Sequence, residues 1–281
     1  ELSRSALKKN LRFLERLVGR RTRFCAVVKG NAYGHGIAQF VALAEECGVR
    51  HFGVFSADEA VDVLQTVTGP PDVMIMGPLL DDATDWAVAA GVSFFVFDLP
   101  TLERALAAAQ LHQRPARIHL ELETGLNRTG LDGEELDRAI ALIKEHRDQL
   151  TVVGTCTHFA GAESVGNFVR IQQQIERFMA GVAHLRAQGV NPGRRHAACS
   201  AAAFTYPETR LDMVRVGISA YGIWPSRETL VTARETGRNE LDLRPAVTWI
   251  CHVSQVKTVP EGESVGYGRS WKAMTDSTIA V

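Results

Sequence analysis

The stretch "RFCAVVKGNAYGHG", Arg23 to Gly36, carries an apolar run into a single lysine, Lys29, and then into a loop with three glycines, a tyrosine and a histidine. An ammonium is strongly hydrated, so placing one at the end of a strand-like run is costly unless that end is a special place. In a (β/α)8 barrel it is one, because such barrels carry their chemistry at the C-terminal ends of their strands.

Seven further runs of the same kind follow: "HFGVFS", "DVMIMGP", "SFFVFD", "RIHLELE", "TVVGTCTHF", "RHAAC" and "MVRVGIS". Between most of them lie segments with helical apolar spacing, such as "TLERALAAAQLH" and "GEELDRAIALIKEH". Several runs are almost continuously apolar, the pattern of strands covered on both faces. Eight strands alternating with helices predict a (β/α)8 TIM barrel over residues 1–225. The pattern changes after "YGIWPS": "RPAVTWICHVSQVKTV" is β-rich and is followed by a turn at "PEGES". Residues 240–281 are therefore expected to form the first part of an antiparallel β domain, an incomplete one, since "STIAV" breaks off within a further strand.

Composition narrows the function. The 281 residues are 46% hydrophobic and 22% charged, with 31 basic and 32 acidic side chains and a net charge of −1. No basic block points to nucleic acid or an anionic membrane. No apolar run approaches the roughly 20 residues of a spanning helix. The five cysteines are widely spaced without a CxxC pair, which favours neither a zinc site nor a disulfide framework. They are expected to be buried and reduced. With the polar, periodic start "ELSRSALKKN", this points to the cytoplasm.

A lysine at a barrel strand end loses its proton when desolvated and then attacks carbonyls; the product is a Schiff base, and the usual partner is pyridoxal 5'-phosphate. A phosphate needs donors, and barrels often supply them from the loops after strands seven and eight. "ACSAA", with Ser200 where a strand runs into a helix, and "VRVGIS", with Gly217 at the end of the eighth strand, occupy those two loops. Taken singly, Ser200 is equally a helix cap, Lys29 a snorkelling surface residue and His158 a satisfied core histidine.

Taken in order, "AVVKGNAYGHG", "ETGLNRTG", "THFA", "CSAA", "VRVGISAYGIWPS" and "VGYGRSW" resemble the motifs of the alanine racemases, pyridoxal-phosphate enzymes of fold type III. The resemblance covers nearly the whole chain. It implies that Lys29 holds the cofactor covalently and that Tyr33 supports it beside the phosphate. Arg128 matches the arginine near the cofactor's phenolic oxygen and the substrate carboxylate. His158 matches the histidine packed on the pyridine ring, and Arg215 the arginine bonded to the pyridine nitrogen. Ser200 and the N–H groups of Gly217 and Ile218 correspond to the phosphate cup. Tyr267 aligns with the second catalytic base, which in the family acts in the partner subunit's site, so a homodimer is implied.

Racemisation needs an α-proton removed from one face and returned on the other, which two bases, Lys29 and Tyr267, do most simply. A tyrosine, with a reference pKa of about 10, needs an environment that favours its phenolate. An arginine at the pyridine nitrogen stays protonated and weakens the electron sink, which favours rapid return of the proton over transamination.

The chain departs from the family at three places. Glu121 stands seven residues before Arg128, where many members carry a carbamylated lysine; a glutamate supplies a similar charge with a shorter reach. Cys199 stands where asparagine is common, and Asn127 where glycine is common. The expected activity is interconversion of L- and D-alanine. Racemisation of serine or other amino acids is the nearest alternative. A non-catalytic cofactor-carrier barrel would lack "AVTWICHVSQVKTV" and Tyr267. An aldolase would want a metal site, and no metal-ligand spacing occurs. A decarboxylase would usually place an acid where Arg215 stands.

Overall fold

Arg23–Val27 forms strand β1, and each of the other seven runs forms a strand: β2 (His51–Val54), β3 (Asp72–Ile75), β4 (Ser93–Val96), β5 (Ala116–Glu121), β6 (Leu150–Cys156), β7 (Arg194–His196) and β8 (Met213–Val216). In this computed structural model, which describes residues 1–235 and 242–281, they lie in the order β7-β6-β5-β4-β3-β2-β1-β8, with parallel pairing throughout. Two backbone hydrogen bonds join the ends of that order, Asp212 N–H to Arg195 O at 3.1 Å and Arg215 N–H to Ala198 O at 3.0 Å. The result is the expected TIM barrel.

Helices connect the strands. Helix α1 (Arg4–Val18) precedes β1, with Leu7, Leu11 and Leu14 fully buried at helical spacing. Each such leucine contributes about 2 kcal/mol of apolar burial. Ser3 caps the helix, accepting from Ala6 N–H at 3.3 Å. Buried Asn10 staples it to the chain near 244, donating to Arg244 O at 2.8 Å and accepting Arg244 N–H at 2.8 Å. Helix α3 (Ile37–Glu46) leads from the lysine loop to β2, and α4 (Ala57–Thr66), capped by Ser56, leads from β2 to β3. Helices α5 (Asp81–Ala90), α6 (Leu99–His112), α7 (Gly133–Glu145) and α8 (Phe168–Ala187) continue the alternation. The six-residue α9 (Ser200–Thr205) joins β7 to β8, and α10 (Arg227–Glu235) follows a 3-10 turn at Ile218–Tyr221.

Because side chains alternate along a strand, the barrel interior is stacked in layers. At the N-terminal end, Asp72 accepts from Arg194 at 2.6 Å and Arg117 at 3.1 Å and pairs with His51 at 3.2 Å. Burial works to raise its pKa, but His51, Arg194 and Arg117 together hold it well below the usual carboxylate range. Above it Cys25, Met74, Phe95, Cys156 and Met213 pack together. Glu121 and Arg215 are the last or near-last inward residues of β5 and β8.

The compact units are Leu2–Val247 and Glu1 with Thr248–Val281. Residues 240 and 241 of the expected second domain lie outside the described residues. The second unit is antiparallel: β9 (Val256–Val259) pairs with β12 (Ser277–Ala280), and β10 (Ser264–Val265) with β11 (Trp271–Lys272). Its strands begin later than the apolar pattern suggests. Trp249, Ile250 and Val253 are exposed and, among the described residues, pair with no strand. Cys251 is likewise exposed, unlike buried Cys25 and Cys156; all five cysteines are free thiols.

Candidate active site

The chain leaves β1 through Val28 and turns at once. The turn α2 (Lys29–Tyr33) is left-handed from its second residue: Gly30, Asn31, Ala32 and Tyr33 have φ of 64°, 51°, 55° and 53°. For L-residues this costs roughly 1–2 kcal/mol each, Gly30 excepted. Within the loop, Asn31 Oδ1 accepts Ile37 N–H at 2.9 Å and His35 Nδ1 bonds Ala32 O at 3.0 Å. Ala32 is buried beneath the turn, while Lys29 and Tyr33 stand at the open mouth. The Lys29 pKa is lowered, first by desolvation and then by the positive charges of Arg128 and Arg215, against the opposing charge of Glu59. The amine is thus biased towards its neutral, nucleophilic form.

Arg215 is buried on β8. Its Nη1 donates to His196 Nδ1 at 2.6 Å and His196 O at 2.5 Å; its Nη2 donates to Thr157 O at 2.6 Å and Ala197 O at 3.4 Å. An arginine has five N–H donors. Among the described residues the fifth, on Nε, has no acceptor. The same contacts fix two histidine tautomers. Arg215 only donates, so His196 Nδ1 accepts and its proton sits on Nε2, facing His119 Nδ1 at 2.8 Å. His119 then carries its proton on Nε2 towards Ser93 Oγ at 3.3 Å, and Ser93 donates to Val73 O at 2.9 Å. Burial first, then nearby arginines, keeps both rings neutral: His119 is pushed down to about 3 despite Asp72, and His196 is well below the normal range. His158, after β6, is also held at about 3 by burial and the charges of Arg215, Arg128 and Lys29.

Lys29, Arg128, His158 and Arg215 therefore meet at the C-terminal mouth of the barrel. Glu121 borders them. It is 3% exposed, accepts from Thr129 Oγ1 at 2.8 Å, and has a pKa raised by burial against the pull of that bond, Arg215 and Arg128. The Arg128 guanidinium makes no side-chain hydrogen bond among the described residues, so the acid next to it is held by a threonine.

Across the mouth, Ser200 opens α9, and its Oγ accepts Gly217 N–H at 3.2 Å and Ser219 N–H at 3.5 Å. Ile218 follows as the first residue of the 3-10 turn. A Cβ on Gly217 would lie 2.4 Å from Tyr33 Oη, so only glycine lets the tyrosine approach. Burial, with a smaller effect from Cys199, raises the Tyr33 pKa. Tyr267 belongs to the second unit and is fully exposed there. Among the described residues no group of His, Cys, Asp or Glu is placed to hold a metal ion, and no helix is long and apolar enough to cross a membrane.

Several residues around this mouth escape a sequence reading. His119 and His196 lie in two of the quoted runs, but only the register across β5, β6 and β7 sets them side by side. Glu59 sits three residues after Ser56, the spacing of a helix capping box, which gives no hint that its carboxylate faces the lysine loop.

Residues 2–225 match the family model for the alanine racemase N-terminal domain, and residues 246–281 that for the alanine racemase C-terminal domain. Over its whole length the chain is 30% identical to the alanine racemase of Leptospira interrogans, spanning 71% of that protein. The structure of alanine racemase from D-cycloserine-producing Streptomyces lavendulae matches with a TM-score of 0.90 at 31% identity, over 99% of this chain and 71% of that one. The Bartonella henselae alanine racemase with covalently bound pyridoxal phosphate shares the fold at 23% identity, with a TM-score of 0.83 over 99% of this chain and 73% of that one. The chain belongs to the alanine racemase family.

Proposed function

We infer that this chain is an amino-acid racemase that interconverts L- and D-alanine with pyridoxal 5'-phosphate, using Lys29 and Tyr267 as its two bases. The observation that carries this reading is the meeting of Lys29, Arg128, His158 and Arg215 at the C-terminal ends of the barrel strands, in a chain of this family.

The residues present fit the cofactor. Three permanent or potential cations face the mouth, suiting an anion; Arg215 keeps one N–H for an acceptor such as a pyridine nitrogen; and the glycine at 217 keeps backbone and Tyr33 Oη close together. Lys29, Tyr33, His158, Ser200, Arg215, Gly217 and Ile218 would hold it. Bound there, the cofactor supplies an electron-withdrawing ring that makes the α-proton of an attached amino acid removable.

The chain's own groups do the rest. Lys29 Nζ, biased towards the neutral amine, carries the proton of the D-enantiomer, and Tyr267 Oη that of the L-enantiomer. Arg128 offers a guanidinium, free of side-chain partners among the described residues, to the substrate carboxylate. Arg215, anchored by three carbonyls and the His196 ring, would donate to the ring nitrogen without giving up its proton and so would limit how far charge is drawn into the ring. Glu121 places an acid beside Arg128. The reading includes a homodimer in which Tyr267 completes the partner's site, and a cytoplasmic location.

A chiral assay of the Tyr267→Phe variant tests the two-base assignment. Turnover of L-alanine should fall by roughly 100-fold or more, as for loss of a general base, while cofactor binding stays intact. Normal turnover of both enantiomers would show the assignment wrong. Faster turnover of serine than of alanine would move the substrate, and no turnover of any amino acid would favour a cofactor carrier.

A further inference from the structure

Four consecutive residues after Lys29 hold the left-handed conformation, three of them not glycine. Such a turn persists only where its surroundings over-determine it. Among the described residues, one side chain from another element bonds the backbone of this turn. Glu59, in the first turn of α4, accepts Gly30 N–H at 2.6 Å and Asn31 N–H at 3.2 Å on Oε1. Its Oε2 accepts Phe55 N–H at 2.8 Å, at the end of β2.

The position argues against a simple helix cap. A glutamate three residues after a serine N-cap ordinarily folds back to that serine's own N–H. Ser56 does cap α4, accepting Glu59 N–H at 3.3 Å. The Glu59 carboxylate instead bridges two segments that leave neighbouring barrel strands, β1 and β2. Both oxygens are used, and three backbone donors are satisfied by one group.

We propose that Glu59 is a positioning residue: it clamps the left-handed turn through Gly30 and Asn31 and so sets the direction in which Lys29 and Tyr33 project into the barrel mouth. The proposal rests on the reading of Lys29 as the cofactor lysine. The same carboxylate balances charge. Lys29 is faced by Arg128 from the loop after β5, by His158 after β6, by Arg215 on β8 and by Glu59 on α4. Of these only Glu59 is an acid, so without it the lysine amine faces cations and a neutral histidine.

Glu59→Gln removes the charge and replaces an acceptor by a donor; Glu59→Asp keeps the charge but shortens the reach. Two measurements on the full chain separate the effects: amide hydrogen exchange at Gly30, Asn31 and Phe55 without cofactor, and the pH at which borohydride half-maximally traps added pyridoxal phosphate on Lys29. In Glu59→Gln, exchange at Gly30 and Asn31 should quicken at least roughly tenfold while barrel-strand amides keep their protection. The trapping midpoint should fall by about half a pH unit or more, because the charged amine has lost its counter-charge. In Glu59→Asp the amides should also exchange faster, with the midpoint at the wild-type value. If Glu59→Gln does not fold, the Glu59→Asp exchange rates decide. Wild-type exchange at Gly30 and Asn31 in the folded variants would overturn the proposal. A wild-type protein that traps no cofactor on Lys29 would overturn the function reading instead, and exchange, measured without cofactor, would still judge the clamp.

Discussion

At the scale of single residues, two parts of the site are already fixed by their neighbours. Arg215 spends four of its five donors on His196, Thr157 and Ala197, so its orientation is set before any ligand arrives. Gly217 and Tyr33 are equally constrained: an ideal Cβ at 217 meets the phenol oxygen at 2.4 Å. Gly217→Ala must therefore displace Tyr33 or the backbone of the cup. Overpacking of this kind typically costs 1–3 kcal/mol, so pyridoxal phosphate should bind about tenfold more weakly, or worse, in a fluorescence titration. Wild-type affinity would mean that Tyr33 does not help to hold the phosphate. Lys29 was legible in sequence because an ammonium ending an apolar run is conspicuous. Glu59 was not, since the capping-box spacing explains it locally, and Tyr267 carried meaning only through the family resemblance.

At the scale of elements, the barrel strands divide the work by layer. The C-terminal ends carry Glu121, Arg215 and the lysine turn, while the N-terminal end is closed by Asp72 with Arg117, Arg194 and His51. The cluster is half-buried, so removing one member leaves the others partly screened by solvent, at a cost below the roughly 3–5 kcal/mol of a fully buried pair. Asp72→Asn should therefore lower stability in urea unfolding by about 2 kcal/mol, without altering which lysine the cofactor occupies. A change below about 1 kcal/mol would show that solvent already satisfies these arginines. All eight strands were legible because apolar runs and helical spacing alternate so regularly. The layering was not, because the residues that share a layer are set by stagger between strands. His119 and His196 lie 77 positions apart in sequence and 2.8 Å apart in space. The second unit was legible in kind, but its strand pattern was not: residues 249–253 look like a strand by composition, yet no strand pairs with them among the described residues.

At the scale of the whole molecule, buried neutral histidines tie stability to pH. His119 and His158 are held at about 3 and His196 well below normal, whereas histidines in the unfolded chain titrate near 6.5. Below about pH 6.5 the unfolded chain binds protons that the folded one refuses, so stability falls with pH, by up to about 1.4 kcal/mol per pH unit for each ring. Asp72, held ionised, adds a second loss below the unfolded carboxylate range near 3.9. Glu121 acts in the opposite sense, since its raised pKa favours the folded state in acid and opposes it above the carboxylate range. Denaturant midpoints should decline steadily from pH 6.5 to 4.5, and more shallowly in His119→Gln; a flat profile would show these rings protonated in the folded protein.

The measurement that tests the central claim most directly is borohydride reduction of the purified, cofactor-loaded protein followed by peptide mass mapping. A pyridoxyl adduct on the peptide carrying Lys29, and on no other lysine, is the predicted result. A folded, cofactor-exposed protein with no adduct, or with the adduct elsewhere, would contradict the assignment of Lys29 and the racemase reading built on it.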